Sequence, residues 1–203
     1  MRVYRIPFST NVERVALALG HKSLEVEWID VDPADRSEVE RVSGQPLVPV
    51  LDDDGRIVFD SPEILRYLEH QHAGPPLFPD EEPLRSSVEI FLAWFNHVWK
   101  RAPNEIAREK QALQPNAERI ARLGAGMAAT LPLFEGLLEG ADYLFGDFTV
   151  ADVAAFPFLK FALLWPEGDD HDFHRILRDH LLLDGGFPRL RAWIERVDAH
   201  PRA

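Results

Sequence analysis

The sequence contains no cysteine, and its positive charges are outnumbered by its negative ones. The absence of cysteine excludes disulfides, thiolate metal sites and a cysteine nucleophile, so any thiol chemistry must use a sulfur that arrives with a ligand. The 22 lysines and arginines against 34 aspartates and glutamates give a net charge of -12. Phosphate backbones and anionic membrane surfaces attract basic proteins, so this charge argues against nucleic-acid and membrane partners.

Long apolar runs are also missing. No stretch reaches the roughly 18 consecutive apolar residues of a membrane-spanning helix. Residues 1–7 lack the apolar core of a signal peptide, so we expect a cytoplasmic protein. The composition is otherwise that of a folded globular chain, with 203 residues of which 46% are hydrophobic and 28% charged. This length is enough for one or two domains.

Strand and helix patterns alternate through the first 74 residues. Strands are predicted at 3–6, 25–31, 47–51 and 57–60, and helices at 10–20, at 32–42 and from 61 onward. Thr10 and Glu13 fit a capping box with Thr10 as the N-cap, and Gly20 is a natural helix end. Asp53-Asp54-Gly55 predicts a hairpin turn. The order βαβ-α-ββα predicts a mixed four-stranded sheet covered by helices.

A proline-rich segment at 75–83 separates this part from the rest, and no strand pattern follows it. Apolar residues then recur at helical spacing over 84–99, 116–139, 150–165 and 187–197. The third of these stretches is apolar nearly all round, and Thr149 and Asp152 cap its start. The pattern predicts a domain at 1–74, a linker at 75–83 and an all-helical domain at 84–203.

Three segments, in this order, carry a resemblance to a known family. They are Phe8–Leu17, then Gln45–Leu51 with Phe59–Leu68, and finally Phe148–Ala154. Together they resemble the cytosolic glutathione S-transferase family, in its serine-type Theta, Tau and Zeta members, over essentially the full length. The resemblance implies the GST fold, with a thioredoxin-like α/β N-terminal domain and an all-α C-terminal domain. It also implies a glutathione site on the first domain, a site for a small hydrophobic electrophile, and a homodimer.

Ser9 is the catalytic residue that the resemblance implies. A free thiol has a pKa of about 8.5, and only its thiolate is a good nucleophile. Lowering that pKa by about 2 units takes roughly 2.7 kcal/mol of preferential thiolate stabilisation. A hydroxyl hydrogen bond and the positive end of the helix that begins near Thr10 can both contribute. In the alternative interpretation Ser9 only caps the turn, and Thr10 or Asn11 supplies the donor.

The resemblance further implies the residues that hold glutathione. Pro49 would be in cis, and the backbone of Val48 would pair with the cysteinyl part of the ligand. The helix that opens at Ser61 offers free N–H groups to the γ-glutamyl carboxylate, with Ser61 as the N-cap. Asp60 would pair with the γ-glutamyl ammonium.

The glycine carboxylate of glutathione needs a donor from the segment before Val48. Gln45 is the candidate, although many relatives have Lys or Gln at the position that Leu47 occupies here. Arg36 and Arg41 are possible cationic helpers, with a solvated position as the alternative.

Aromatic residues are the candidates for the electrophile site. These are Phe8, Phe95, Trp99 and Trp165, with Asn11, His97 and Phe161 as further possibilities; aromatics at helical spacing are more often core. Two histidine-containing segments, Asp169–His174 and His70–His72, resemble metal-ligand spacing, but we interpret both as solvated and expect no metal.

The sequence thus predicts a glutathione transferase in which Ser9 activates the glutathione thiol for attack on a small hydrophobic electrophile. Peroxide reduction or thiol-assisted isomerisation would use the same activation. Two alternatives stay open: a catalytically weak binding or assembly module with this fold, and a transferase that uses another small thiol.

Overall fold

Four short strands form the sheet of the N-terminal unit in the computed structural model, which describes all 203 residues. The strands are β1 (Arg2–Arg5), β2 (Glu27–Asp30), β3 (Val50–Asp53) and β4 (Arg56–Phe59), in the order β2-β1-β3-β4. Strand β1 is parallel to β2 and antiparallel to β3, and β3 is antiparallel to β4. This is the mixed sheet that the sequence pattern predicts.

Three helices cover the two faces of this sheet: α1 (Thr10–His21), α2 (Ser37–Ser43) and α3 (Ser61–Gln71). Tyr4 and Val50 point to one face and pack with Val39 of α2. Val3 and Leu51 alternate with them, so they point to the opposite face, where α3 packs on the sheet and against α1. This unit comprises residues 1–80 and 199–203.

Helix α1 begins at Thr10, as predicted, but its N-cap and its C-terminal end differ from their predictions. Its N-cap is Ser9, whose carbonyl accepts the Glu13 N–H at 3.0 Å, so the capping box predicted from Thr10 does not form. Gly20 lies inside the helix and does not end it. A side chain at Gly20 would clash with the backbone of Pro201, in the C-terminal segment that packs on α1.

Helix α2 and strand β3 both begin later than predicted. Asp32 and Asp35 accept hydrogen bonds from backbone N–H groups two residues on, at 2.8 and 3.0 Å. These local bonds hold two turns where a helix was predicted, and α2 begins only at Ser37. Residues 47–49 form a loop, and β3 begins at Val50.

The second unit, residues 81–198, is entirely helical, as the sequence predicts. Its helices are α4 (Leu84–Trp94), α5 (Arg101–Lys110), α6 (Ala117–Ala128), α7 (Leu131–Leu137), α8 (Val150–Leu159), α9 (Asp172–His180) and α10 (Pro188–Asp198). All ten residues of α8 are buried, with α4, α9 and α10 packed around them. No helix of the chain combines the length and apolar composition needed to span a membrane.

Several helices of this unit are shorter than predicted. A π-helical turn, Phe95–Trp99, joins α4 to α5, and Lys100 donates to the Phe95 carbonyl at 3.0 Å. Pro103, which lacks an N–H, follows this turn. The helix predicted over 116–139 is divided into α6 and α7, and α7 has a proline in its first turn. Helix α8 ends at Leu159, and the additional helix α9 begins at Asp172, inside the segment Asp169–His174 that we interpret as solvated.

The capping box predicted at the start of α8 is present. The Asp152 carboxylate accepts hydrogen bonds from the Thr149 N–H at 2.9 Å, the Leu144 N–H at 3.0 Å and Trp193 Nε1 at 2.8 Å. Asp152 is fully buried. Burial raises its pKa from 3.8 to about 6, although the hydrogen bonds favour the ionised form.

This raised pKa predicts how the stability of the protein depends on pH. Between about pH 4 and about pH 6 the folded state holds a proton on Asp152 that the unfolded chain has lost, so stability falls as the pH rises. We expect Asp152→Asn to remove this part of the pH dependence. The variant should also lose about 1–3 kcal/mol, because an amide nitrogen cannot accept the Thr149 N–H. Urea unfolding across this pH range measures both effects. If the free energy of unfolding varied with pH equally in variant and wild type, Asp152 would not be the group responsible.

Candidate functional site

A cavity of about 420 Å³ opens in the N-terminal unit where α1 and α3 begin. Its walls are Asn11, Gln45, Leu47, Val48, Pro49, Phe59, Asp60 and Ser61. All six residues predicted to bind glutathione, namely Asn11, Gln45, Val48, Pro49, Asp60 and Ser61, are among them. The chain therefore brings together, from three separate segments, the residues that the sequence interpretation selected.

The start of α3 forms one wall of this cavity. Asp60 is the N-cap and Ser61 the first helical residue, one position later than the predicted assignment of Ser61 as N-cap. The Asp60 carboxylate makes no capping hydrogen bond and is exposed. The first N–H groups of a helix have no partner within it and carry partial positive charge, so an anion-binding end lies beside an acidic side chain.

Arg14 supports this wall from inside the protein. It is fully buried on α1, and its Nη1 donates to Ser61 Oγ at 3.3 Å. The Ser61 hydroxyl in turn donates to Asn11 Oδ1 at 3.4 Å. Burial lowers the pKa of Arg14 to about 9, while the Asp60 carboxylate acts in the opposite direction. A buried positive charge therefore lies behind the hydroxyl at the start of α3.

Sequence reasoning did not single out Arg14, because a charged residue on an amphipathic helix is ordinarily assigned to solvent. A signal was nevertheless present. Leu17 and Ala18 follow Arg14 at three and four residues, the spacing that places side chains on one helical face, and both are buried.

The loop before β3 forms the opposite wall. Both N–H groups of the Gln45 amide are used within this loop, since Nε2 donates to Ser43 Oγ and to the Leu47 carbonyl, each at 2.9 Å. Its Oε1 accepts the Leu47 N–H at 2.7 Å. The Val48-Pro49 peptide bond is cis, as predicted. Val48 precedes β3, so the sheet does not use its backbone groups.

Ser9 lies at the N-terminus of α1, two residues before Asn11. Its N–H donates to the Ile6 carbonyl at 2.9 Å, and its half-buried side chain makes no capping hydrogen bond. In the alternative interpretation Ser9 only caps the turn. Its hydroxyl makes no capping hydrogen bond in the structure, although Ser9 is the N-cap residue of α1. Thr10, the neighbouring hydroxyl, is buried.

The aromatic candidates for the electrophile site have different environments. Phe95 is fully buried and stacks on Trp99 with ring centroids 4.6 Å apart, and Trp99 Nε1 donates to Thr130 Oγ1 at 2.9 Å. This burial favours the core interpretation for both, because neither offers a face to a ligand. Phe8 is exposed and Trp165 is half-buried, so both stay predictions.

The structure also shows the surroundings of the other aromatic and histidine candidates. Phe161 is buried and stacks on His174, whereas His97 is exposed. His174 Nδ1 lies 2.7 Å from Asp169 Oδ2, and His72 Nε2 lies 3.0 Å from Asp53 Oδ2. No group of three or more histidine, aspartate or glutamate side chains is arranged to hold a metal ion.

Comparison with known proteins identifies the family to which this chain belongs. The N-terminal domain of glutathione S-transferase matches residues 3–76, and the C-terminal domain of glutathione S-transferase matches residues 117–196. The chain belongs to the glutathione S-transferase family. It is therefore an enzyme of the glutathione transferase class, and its two units are the two domains of the GST fold.

Individual relatives of this transferase are distant. Glutathione S-transferase 3 of Zea mays is 29% identical over 166 residues, which are 75% of this chain and 73% of the maize protein. A glutathione S-transferase structure from Rhodospirillum rubrum F11 is 25% identical with a TM-score of 0.75, covering 98% of this chain and 88% of that one. The Tau class transferase of mango, Mangifera indica, shares the fold at a TM-score of 0.79 and 20% identity, covering 98% and 89%.

The backbone at Asp60 predicts a measurable strain in this transferase. Its φ of 66° and ψ of 122° are unfavourable for a residue with a Cβ, which costs about 1–3 kcal/mol. Asp60→Gly and Asp60→Asn both remove the carboxylate, but only glycine removes the Cβ. We expect the glycine variant to be more stable than the asparagine variant by about 1 kcal/mol in urea unfolding. Equal stabilities would show that this backbone is unstrained.

Proposed function

We propose that this transferase is a serine-type enzyme in which Ser9 activates the glutathione thiol for attack on a small hydrophobic electrophile. The observation that supports it best is the composition of the cavity. An acidic side chain, a helix N-terminus and the loop residue Val48, whose backbone lies outside the sheet, line one space. Ser9 lies two residues before the lining residue Asn11, and its hydroxyl makes no capping hydrogen bond. These groups match the charges and the peptide backbone of γ-glutamyl-cysteinyl-glycine.

The γ-glutamyl end is a zwitterion and fits the start of α3. Its ammonium pairs with the Asp60 carboxylate, and its carboxylate accepts hydrogen bonds from the first N–H groups of the helix. Pro62 has no N–H, so Ser61 and Glu63 are the backbone donors. The buried Arg14 charge behind Ser61 adds an attraction for the same carboxylate.

The cysteinyl residue then lies along the loop before β3. Its backbone pairs with the N–H and carbonyl of Val48. Its sulfur faces the start of α1, where the Ser9 hydroxyl donates a hydrogen bond to the thiolate and the helix end contributes partial positive charge. The thiol proton leaves to solvent. The thiolate electron pair then forms a C–S bond with the electrophile, whose leaving group departs with the electrons of the broken bond.

Replacing Ser9 tests this activation. Ser9→Ala should lower turnover about ten- to a thousandfold, as for loss of one charge-stabilising donor, and should raise the pKa of bound glutathione. The pKa is read from the ultraviolet absorbance of the thiolate across a pH series. Thr10→Val is the matched control, because it removes the adjacent hydroxyl at nearly constant volume and should change neither value. Unchanged turnover in Ser9→Ala would remove Ser9 from the mechanism.

Binding is tested separately by calorimetric titration of glutathione. The wild type should bind saturably, and the double variant Asp60→Ala/Ser61→Ala should lose affinity by more than about tenfold. The γ-glutamyl ammonium loses the Asp60 carboxylate, and the start of α3 loses the hydroxyl through which Arg14 contacts it. Glu63→Ala is the control, since it removes an exposed carboxylate from the same helical turn without touching the cavity wall. Absence of binding at millimolar glutathione would contradict the proposed function.

We also propose that the protein is a cytoplasmic homodimer, in keeping with its family. Sedimentation velocity should then give about twice the chain mass of 23.1 kDa. A single species at the mass of one chain would contradict the dimer.

A further inference from the structure

The glutathione cavity has one charged end and one apolar wall. The only charged residue among its lining residues is Asp60, at the γ-glutamyl end. Leu47 and Phe59 also line the cavity, and their side chains are 64% and 46% exposed. Glutathione is linear, so its glycine lies on the far side of the cysteinyl residue from Asp60. If the proposed function is correct, the glycine end meets the wall formed by Gln45 and Leu47.

Gln45 is the only polar side chain on this wall, and its amide is already hydrogen-bonded within the loop. Both of its N–H groups donate inside the loop, to Ser43 Oγ and to the Leu47 carbonyl. To bind a carboxylate, Gln45 would have to give up one of these bonds and loosen the loop that carries Val48. Exchanging one hydrogen bond for another adds little to the free energy of binding.

Arg36, a cation that contacts this loop, lies outside the cavity wall. Arg36 donates from Nε to the Pro33 carbonyl at 3.3 Å and from Nη1 to the Pro46 carbonyl at 3.4 Å, and it does not line the cavity. A glycine carboxylate would therefore lie against Leu47, in a cavity whose one charged side chain is an acid. Partial desolvation of a carboxylate without a cation is unfavourable.

From this wall we infer that the enzyme does not select for the glycine carboxylate. Its thiol substrates are γ-glutamyl-cysteinyl peptides as a class, including those whose C-terminal end is neutral. The γ-glutamyl zwitterion and the cysteinyl backbone supply the recognition, and Leu47 determines the tolerance at the third residue. This inference rests on the proposed function and makes it more specific, because it names the glycine carboxylate as a group that the site does not recognise.

Calorimetric titration of two ligands tests the inference directly. Glutathione and its glycine amide differ only in the charge of the third residue. We expect the two dissociation constants to agree within about fivefold, as for an exposed charge without a fixed partner. A dissociation constant for glutathione more than about fivefold lower than that of the amide would overturn the inference and leave the proposed function intact. Failure of both ligands to bind would overturn both.

Substitutions at the wall provide a gain-of-function test. Leu47→Lys places a cation at the proposed glycine end. The dissociation constant of glutathione should therefore fall about tenfold relative to that of the amide, as expected for a charge-assisted hydrogen bond. Leu47→Met keeps the apolar volume and should leave the ratio of the two dissociation constants unchanged.

Arg36→Ala is the second control, and it too should leave the ratio unchanged. If instead Arg36→Ala weakens glutathione but not the amide, Arg36 supplies the missing contact and the inference is wrong. An unchanged ratio in Leu47→Lys would equally overturn it, because Leu47 would then not face the third residue.

Discussion

The start of α3 is held in place by a charge that solvent cannot reach. Arg14 lies inside the protein on α1 and donates to the hydroxyl of Ser61, the first residue of α3. This contact fixes one helix against another at the point where the first N–H groups of α3 open into the cavity. The same guanidinium places positive charge behind an end that is already electropositive. A single buried side chain thus contacts α3 from α1 and places positive charge at the helix end where we propose that the γ-glutamyl carboxylate binds.

This arrangement has two energetic costs. Burial disfavours the charged guanidinium, as the pKa of about 9 shows, and Asp60 adopts backbone angles that its Cβ disfavours. A site that only had to fold would use an apolar residue at position 14 and a glycine at position 60. The residues present instead place an acid and a supported helix end side by side, which is the pattern that an amino-acid zwitterion requires. Both the strain and the buried charge lie beside the cavity in which we propose that glutathione binds.

The order of strands and helices is predictable because the sequence shows the apolar spacing of each element, as in the helical stripe of α4. The cap residues of individual helices were harder to predict. Adjacent candidates at Ser9-Thr10 and at Asp60-Ser61 both satisfy capping rules, and only the packed structure decides between them. The six residues that we propose to bind glutathione follow from the family resemblance, and no local apolar period identifies them. The position of Arg14 on the apolar face of α1 is visible in the sequence, but its contact with Ser61 joins two distant segments. The hydrogen bonds of the Gln45 amide depend on the folding of a loop that the sequence pattern does not describe.

A crystal structure of the protein with bound glutathione tests the central claim most directly. The account predicts the γ-glutamyl group at Asp60 and the start of α3, the cysteinyl backbone paired with Val48, and the sulfur within about 3.5 Å of Ser9 Oγ. The glycine should lie against Leu47. Glutathione bound elsewhere, or bound in this cavity with its sulfur out of reach of Ser9, would contradict the account.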